Sequence, residues 1–213
     1  MSRKIALVSG ILLFLSLFGQ PSYAQLDYLY SEPRLMTGGG VAMFRISLDD
    51  FESLYSNRWG ESYGGFIGVR FYSSYYLNLK YNTFQQSGKS GTDAQTGLDL
   101  SDAKWSERWY AIGIRVHPPI TRTLNSYYGF GVVFYDVDEA GELSIFKQRN
   151  TEKADEFGNG FFLEVGIEYL FIKQLGLYFE MEISSGGIRG RTGFEGFSIG
   201  GFRFALGLVA FPF

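Results

Sequence analysis

Seven charged side chains are the residues best placed to do chemistry in this 213-residue chain. They are Arg70, Lys80, Arg115, Glu164, Glu168, Glu180 and Glu182. Each stands in a segment where bulky apolar and polar residues alternate, so the charges of a segment share one face. The basic residues come first along the chain and the acidic ones follow. Because buried charges must pair to avoid a large cost of desolvation, this order predicts ion pairs between distant segments.

Catalytic chemistry has little support. The chain has no Cys, which excludes disulfides, thiolate nucleophiles and Cys-ligated zinc or iron–sulfur clusters. Its one His, His117, precedes Pro118 and Pro119, and no Ser follows it closely. A general base of the Ser–His–acid type needs such partners. We therefore interpret His117 as a polar residue at the end of a strand, and we predict no enzyme, no cofactor and no metal.

Two acidic segments and one glycine run resemble ligand sites only in part. Asp49–Glu52 and Asp136–Glu139 offer carboxylate oxygens to Ca²⁺, but neither follows the Asp-x-Asp-x-Asp-Gly pattern, so we interpret them as solvated loop charge. Gly38–Gly40 lacks the Lys-Ser/Thr of a phosphate loop. Glycine in a strand instead permits curvature or makes room for a large neighbour.

Composition narrows the class of protein. With 18% aromatic residues, 28 Gly and 5 Pro, the chain is too aromatic for disorder and too poor in helix formers for a helical bundle. Its length suits one domain with a sizeable core. A net charge of −3 offers no general basic surface, so we predict no nucleic-acid partner.

The first 24 residues have the pattern of a signal peptide. Arg3 and Lys4 precede an apolar segment, Ile5–Phe18, and Ser22-Tyr23-Ala24 supplies small residues before a cleavage site. The apolar segment would span about 21 Å as a helix, short of a bilayer core of about 30 Å, which disfavours an uncleaved anchor. We expect residues 1–24 to be removed on export and 25–213 to form one domain.

The remaining chain has the period of β-strands. Apolar and polar residues alternate over 65–71, 75–82, 109–116, 161–171 and 175–183. Three further candidates, near 34–46, 127–136 and 198–211, are apolar on both faces, so their facing stays open. The pattern predicts eight strands.

Long and short connections alternate between these strands. The long ones lie near 47–61, 85–104, 137–158 and 186–197, and the short ones are Ser73-Ser74, 118–126 and 172–174. All the short connections therefore fall at one end of the sheet. This asymmetry is typical of an antiparallel up-and-down β-barrel in a bacterial outer membrane.

The choice of face decides between a membrane barrel and a soluble one. A soluble, lipocalin-like carrier would place the bulky side chains of five strands inside, yet an eight-stranded barrel has an interior barely wide enough for its side chains. We therefore expect the apolar face to meet lipid and the seven charges to lie inside, with Gly making room. A secreted lipocalin-like carrier remains the alternative.

Aromatic residues cluster at the short connections. They are Tyr72, Tyr75, Tyr76, Tyr127, Tyr128 and Phe171. In a membrane barrel such positions lie at the membrane–water interface. We expect these six residues to form an aromatic girdle.

The signal peptide, the strand count, the loop asymmetry and the final segment Phe202–Phe213 together resemble small OmpA/OmpX-type barrels, a porin-like outer-membrane family. The resemblance implies a Gram-negative outer membrane, periplasmic termini and four outside loops. It also implies that Phe211 and Phe213 form the signal that the barrel assembly machinery recognises, although Pro212 departs from the usual pattern. The implied partners are this machinery, outer-membrane lipids and lipopolysaccharide, and the implied state is a monomer.

The resemblance does not determine a function, because members of one fold differ in activity. We expect a structural or surface-interaction role in the cell envelope, with the lumen plugged by paired charges. A narrow channel for small solutes or ions is the alternative. Residues 188–191, Ile-Arg-Gly-Arg, either contact lipopolysaccharide phosphates or form a flexible basic loop.

Overall fold

The computed structural model describes residues 34–93, 97–118, 121, 123–141, 143, 145, 155–188 and 197–212. Its eight strands are β1 (Leu35–Ile46), β2 (Trp59–Tyr72), β3 (Tyr75–Ser87), β4 (Lys104–Val116), β5 (Leu124–Ala140), β6 (Asp155–Ile172), β7 (Leu175–Ile188) and β8 (Phe197–Ala210). Each strand pairs antiparallel with the next, and β8 closes the barrel on β1. The predicted eight-stranded up-and-down barrel is confirmed.

The two faces of the wall divide as the sequence pattern predicts. Exposed apolar side chains point outwards from every strand, for example Leu79, Ile112, Leu163 and Phe179. The alternate positions point inwards and are buried. The strands whose facing was open follow the same rule, with Val41 outside and Phe44 inside on β1. The bulky apolar side chains therefore lie on the outside of the barrel, as predicted for a membrane barrel. A soluble barrel would bury them in its interior.

The aromatic girdle prediction is wrong for two of its six residues. Tyr72, Tyr75, Tyr128 and Phe171 are exposed on the outer wall. Tyr76 and Tyr127, however, are buried in the interior, one position out of phase with their exposed neighbours. Since side chains alternate across a strand, two adjacent tyrosines cannot both face lipid.

The two ends of the barrel differ, and we call them the turn end and the loop end. At the turn end, Ser73–Ser74 and residues 173–174 join strands directly, and residues 117–123 join β4 to β5. At the loop end, residues 47–58 contain a one-turn helix, α1 (Phe51–Leu54), and residues 88–103 contain a 3₁₀ turn (Leu100–Asp102). No described helix has the length and hydropathy needed to span a bilayer.

The interpretation as solvated loop charge is confirmed for the carboxylates of Asp49–Glu52, which are exposed. It is wrong for Glu139 in Asp136–Glu139, because this segment belongs to β5 and the Glu139 side chain faces inwards and is buried.

Phe51 and Leu54 lie on one side of α1 and are buried, while Glu52 faces solvent. Leu48 and Tyr55 are buried beside them. The first loop therefore folds its apolar residues into the mouth of the barrel.

Some predictions concern residues outside the described ones. They are the signal peptide, Phe213 and most of the Ile188–Arg191 segment.

Candidate functional site

Six charged residues meet in the middle of the barrel interior, and we call them the central cluster. They are Lys80 on β3, Arg115 on β4, Glu164 on β6, Glu180 and Glu182 on β7, and Arg203 on β8. All six occupy inward positions, and all are buried. Five of the eight strands thus contribute to one site.

Lys80 binds three carboxylates at once. Its Nζ donates to Glu164 Oε2 at 2.6 Å and to Glu180 Oε1 at 2.8 Å, and it also donates to Glu182 Oε2. An ammonium group has three N–H donors, so the three carboxylates satisfy it fully. The strands hold this arrangement together: Glu164 and Glu182 are directly opposite each other in the β6–β7 ladder.

Arg115 joins two of the same carboxylates from the other side. Its Nε donates to Glu164 Oε1 at 2.6 Å, and its Nη2 donates to Glu180 Oε2 at 2.7 Å. The guanidinium carbon lies 4.4 Å from the ring centroid of Phe66 and 4.1 Å from that of Tyr127. Ion pairing and cation–π contacts therefore fix its plane on several sides.

Glu180 is the most connected member of the cluster. Besides Lys80 and Arg115, it accepts from Arg203 Nη1 at 3.0 Å and from Tyr127 Oη at 3.1 Å. Three cations and three carboxylates give the cluster formal neutrality. That balance is what a set of buried charges needs in order to avoid an uncompensated charge.

Glycine makes the room that these side chains need. A Cβ at Gly129, on β5, would lie 2.5 Å from Glu164 Oε1. One at Gly113, on β4, would lie 2.8 Å from the Phe162 ring. Long side chains from some strands therefore fill the interior, and they lie against glycine backbone on other strands.

Two of the seven charges singled out in the sequence lie outside this network. Glu168 is buried nearer the turn end, with its Oε2 3.5 Å from His117 Nδ1. Arg70 is half-buried near the end of β2, opposite Tyr76, and none of the ion pairs within the cluster involves it. His117 directly follows the last residue of β4, as predicted, and is buried with its ring centroid 4.9 Å from that of Tyr76 and 5.4 Å from that of Tyr127.

Sequence reasoning missed Arg203, the third cation. The last strand is apolar on both faces, so its phase was undetermined. The signal was the single charge between Phe202 and Phe204, since a lone Arg in an otherwise apolar strand of a membrane barrel belongs inside.

Carboxylate oxygens of Glu164, Glu180 and Glu182 lie within 4.8 Å of one another, close enough to hold a cation. The Lys80 ammonium is hydrogen-bonded to all three. The donor set therefore fits the ammonium that already occupies it, and we assign no metal to these residues.

Apolar layers lie on both sides of the central cluster. Towards the turn end they include Met36, Phe66, Tyr178, Val209 and Phe211. Phe211, one of the two aromatic residues of the expected assembly signal, thus has a buried side chain. The turn-end half of the interior therefore holds these apolar side chains together with the buried polar side chains of Asn78, His117 and Glu168.

At the loop end, side chains from three loops form what we call the loop cap. It comprises Leu48, Phe51, Leu54, Tyr55, Leu100, Ala103, Leu143 and Ile145, packed against Phe84 and Trp105 of the wall. The rings of Phe51 and Tyr55 stack at 4.4 Å, and Phe51 meets Trp105 edge-on at 5.4 Å. The mouth of the barrel is therefore covered by apolar side chains.

One buried carboxylate ties the loop cap to the wall. Glu139 Oε1 accepts from Tyr55 Oη at 2.7 Å and from the Ile145 amide at 2.9 Å. Burial raises the pKa of the Tyr55 hydroxyl, and the nearby Glu139 carboxylate raises it further. The phenol therefore keeps its proton and remains a donor.

Comparison with known proteins places this barrel in a family. The model of the outer membrane protein beta-barrel domain matches residues 10–208. The chain therefore belongs to this family and is a bacterial outer-membrane protein. A search of curated proteins found no match.

Solved structures support the same fold. The chain is similar to the outer membrane protein OprG from Pseudomonas aeruginosa, with 15% identity, a TM-score of 0.52 and coverage of 84% of this chain and 95% of that one. It is also similar to Neisserial surface protein A, with 9% identity, a TM-score of 0.55 and coverage of 83% and 96%. At these identities the likeness concerns the fold alone.

Proposed function

We propose that this protein is a closed outer-membrane barrel with a structural and surface-interaction role, whose lumen is plugged by the central cluster. The observation that carries the proposal is the binding of Lys80 to three buried carboxylates. Eight strands enclose an interior only wide enough for side chains, whereas aqueous channels are found in barrels of 16–18 strands. Here that interior holds ion pairs in the middle and apolar layers towards each end.

The proposed orientation places both termini and the turn end in the periplasm, with the loop end outside the cell. Short periplasmic turns and longer outside loops are the rule for such barrels. In this orientation the loops that carry the loop cap face the surroundings with their exposed side chains, for example Asp49 and Glu52. We include in the proposal a monomeric barrel surrounded by outer-membrane lipids and lipopolysaccharide, and its assembly through Phe211 and Phe213.

The proposal also excludes an enzymatic role. His117 would be the general base, but its ring is enclosed by Tyr76 and Tyr127 and its nearest charged partner is Glu168. No hydroxyl nucleophile is hydrogen-bonded to it within the described residues. The surroundings of His117 therefore do not fit acyl transfer of the Ser–His–acid type.

A narrow hydrated path is the second candidate, and orphaned polar atoms favour it. Among the described residues, both side-chain amide atoms of Asn78 are buried without a hydrogen-bond partner, and so are Arg115 Nη1 and Asn82 Nδ2. Buried polar groups of this kind usually bind ordered water. Water beside the central cluster would give small ions a route if the cluster opened.

Conductance of the refolded protein in a planar bilayer separates the two candidates. A folded barrel, shown by a heat-dependent shift in gel mobility, should give no discrete openings if the cluster is a plug. Lys80→Met should then create openings or leakage, because it removes the cation that holds three carboxylates together. Lys173→Met, at an exposed turn, is the matched control. Discrete openings in the wild-type protein that change with Glu180→Gln would replace the plug with the channel.

A further inference from the structure

The outer wall carries a polar groove of about 300 Å³ near the loop end. The outward side chains that line it are Gln85 and Ser87 of β3, Lys104 and Ser106 of β4, and Asp138 of β5. They offer two hydroxyls, an amide, an ammonium and a carboxylate. Such a mixture of hydrogen-bonding groups suits a hydroxyl-rich ligand rather than hydrocarbon.

A second groove, of about 400 Å³, lies on the same wall nearer the turn end. Its outward side chains are Ile67, Leu79, Tyr81 and Tyr110, and Gly65 leaves bare backbone between them. All four side chains are at least partly exposed on the apolar band. This groove suits a hydrocarbon chain.

The two grooves follow each other along β3 and β4. Tyr81 pairs with Tyr110 at the edge of the apolar groove, and Gln85 pairs with Ser106 in the polar one. Four residues separate them on each strand, or about 13 Å. Between them lies Arg108, whose Nη2 is 2.8 Å from Asp136 Oδ2. From the turn end towards the loop end, the wall thus presents the apolar groove with its two tyrosines, the Arg108–Asp136 ion pair and the polar groove.

That order matches one class of membrane lipid. The apolar groove would take an acyl chain, and Arg108 and Lys104, which lie beyond the tyrosines towards the loop end, would bind the phosphates of the same lipid. Gln85, Asp138 and the two serines would bind sugar hydroxyls. A common glycerophospholipid has acyl chains and a phosphate but no sugar that would fill the polar groove.

We propose that the outer wall formed by β2, β3, β4 and β5 binds one molecule of an outer-leaflet glycolipid. An acyl chain would lie in the apolar groove and a phosphorylated sugar head group in the polar groove. The site rests on the orientation given under the proposed function, which places the polar groove in the outer leaflet. It does not depend on whether the lumen is plugged, so lipid retention and conductance test different statements.

Native mass spectrometry of the detergent-refolded protein tests the site, with rough lipopolysaccharide as the probe and phosphatidylglycerol as the competing lipid. The wild-type barrel should retain one lipopolysaccharide molecule in the presence of excess phosphatidylglycerol. The double variant Gln85→Ala/Lys104→Ala should lower the affinity about ten-fold, equivalent to about 1.4 kcal/mol. The control Arg45→Ala removes an exposed cation of β1, opposite Trp59 on β2, and should leave the affinity unchanged.

The apolar groove is tested separately by Leu79→Trp, which fills it with a larger side chain. Leu163→Trp, at an exposed position on β6, is the control. Only Leu79→Trp should weaken retention. Equal retention of phosphatidylglycerol, or equal losses in Arg45→Ala and the double variant, would overturn the proposal in favour of a non-specific lipid annulus. Absence of retained lipopolysaccharide from the folded wild-type barrel would overturn it as well. A heat-dependent gel shift establishes folding for each variant.

Discussion

The central cluster and the loop cap close the same interior by different physics. In the cluster, Lys80 and its carboxylates stand on strands whose backbones are hydrogen-bonded on both sides around the barrel. In the loop cap, Phe51 and Tyr55 stand on a one-turn helix and the residue after it, held by ring packing and by the hydrogen bond to Glu139. The strand backbones that carry the cluster separate only when the barrel unfolds, whereas loops open locally at a lower free energy. The cluster should therefore govern global stability, and the cap only access to the mouth.

The largest effect should come from Lys80→Met. The change keeps an unbranched side chain but strands Glu164, Glu180 and Glu182 beside one another without their shared cation. Removing one partner of a buried ion pair costs about 3–5 kcal/mol. Urea unfolding of the refolded barrel in lipid vesicles should show that loss.

Lys173→Met, at the exposed turn between β6 and β7, supplies the baseline and should change the unfolding free energy little. If Lys80→Met matched that baseline, the ion pairs would have no part in stability. The statement that the central cluster, unlike the loop cap, governs global stability would then be wrong.

The barrel itself was predictable because five of its strands show a period of two in the sequence and because long and short connections alternate between the strands. The alternation in 161–171 and 175–183 already places Glu164, Glu180 and Glu182 on one face. The alternation did not determine the phase of β8, since its Ala, Gly and Val positions are apolar on both faces, and Arg203 was its one charged marker. The strand register sets Arg203 opposite Glu182 and brings its Nη1 to 3.0 Å from Glu180 Oε1, a contact that the sequence alone does not indicate.

The loop cap was not predictable from polarity. Phe51 and Leu54 are separated by two polar residues in a segment that reads as a charged loop, and they acquire a common face only in α1. Their burial also depends on Trp105 and Ile145, which are distant in sequence. Contacts among loops carry no periodic signal, so the cap becomes visible only in three dimensions.

Tyr55→Phe should have an intermediate effect that stays local. It removes the hydroxyl that donates to Glu139 while keeping the ring that stacks on Phe51. A hydrogen bond to a charged group contributes about 1.5–3 kcal/mol. Hydrogen exchange of the Ile145 amide, which donates to the same carboxylate oxygen, should accelerate accordingly. The urea unfolding curve should stay in place, and a shift comparable to that of Lys80→Met would contradict the local character of the cap.

The same hydrogen bond should give the cap a pH dependence. Because the pKa of Tyr55 is raised in the folded state, the cap's stability is fully present below a pH of about 10, the usual pKa of a tyrosine. It is lost as the pH rises further, since the open form then releases a proton that the closed form retains. Protection of tryptophan from acrylamide should therefore fall above pH 10 towards the level of Tyr55→Phe. The control Tyr72→Phe changes an exposed tyrosine at the turn end. Its tryptophan protection should fall over the same pH range as in the wild type.

The smallest effect should come from charges on the solvent side of the same loop. Arg58 Nη1 lies 3.8 Å from Asp49 Oδ1, and Arg58 Nε lies 3.6 Å from Glu52 Oε1. Both carboxylates are largely exposed. Exposed ion pairs contribute about 0–1 kcal/mol, so Asp49→Asn should leave both the unfolding curve and the Ile145 exchange rate nearly unchanged. The Arg58 Nη2 donor would keep its 2.6 Å hydrogen bond to the Asp49 carbonyl. An exchange rate raised as far as in Tyr55→Phe would mean that surface charge, rather than the buried Tyr55–Glu139 contact, holds the cap closed.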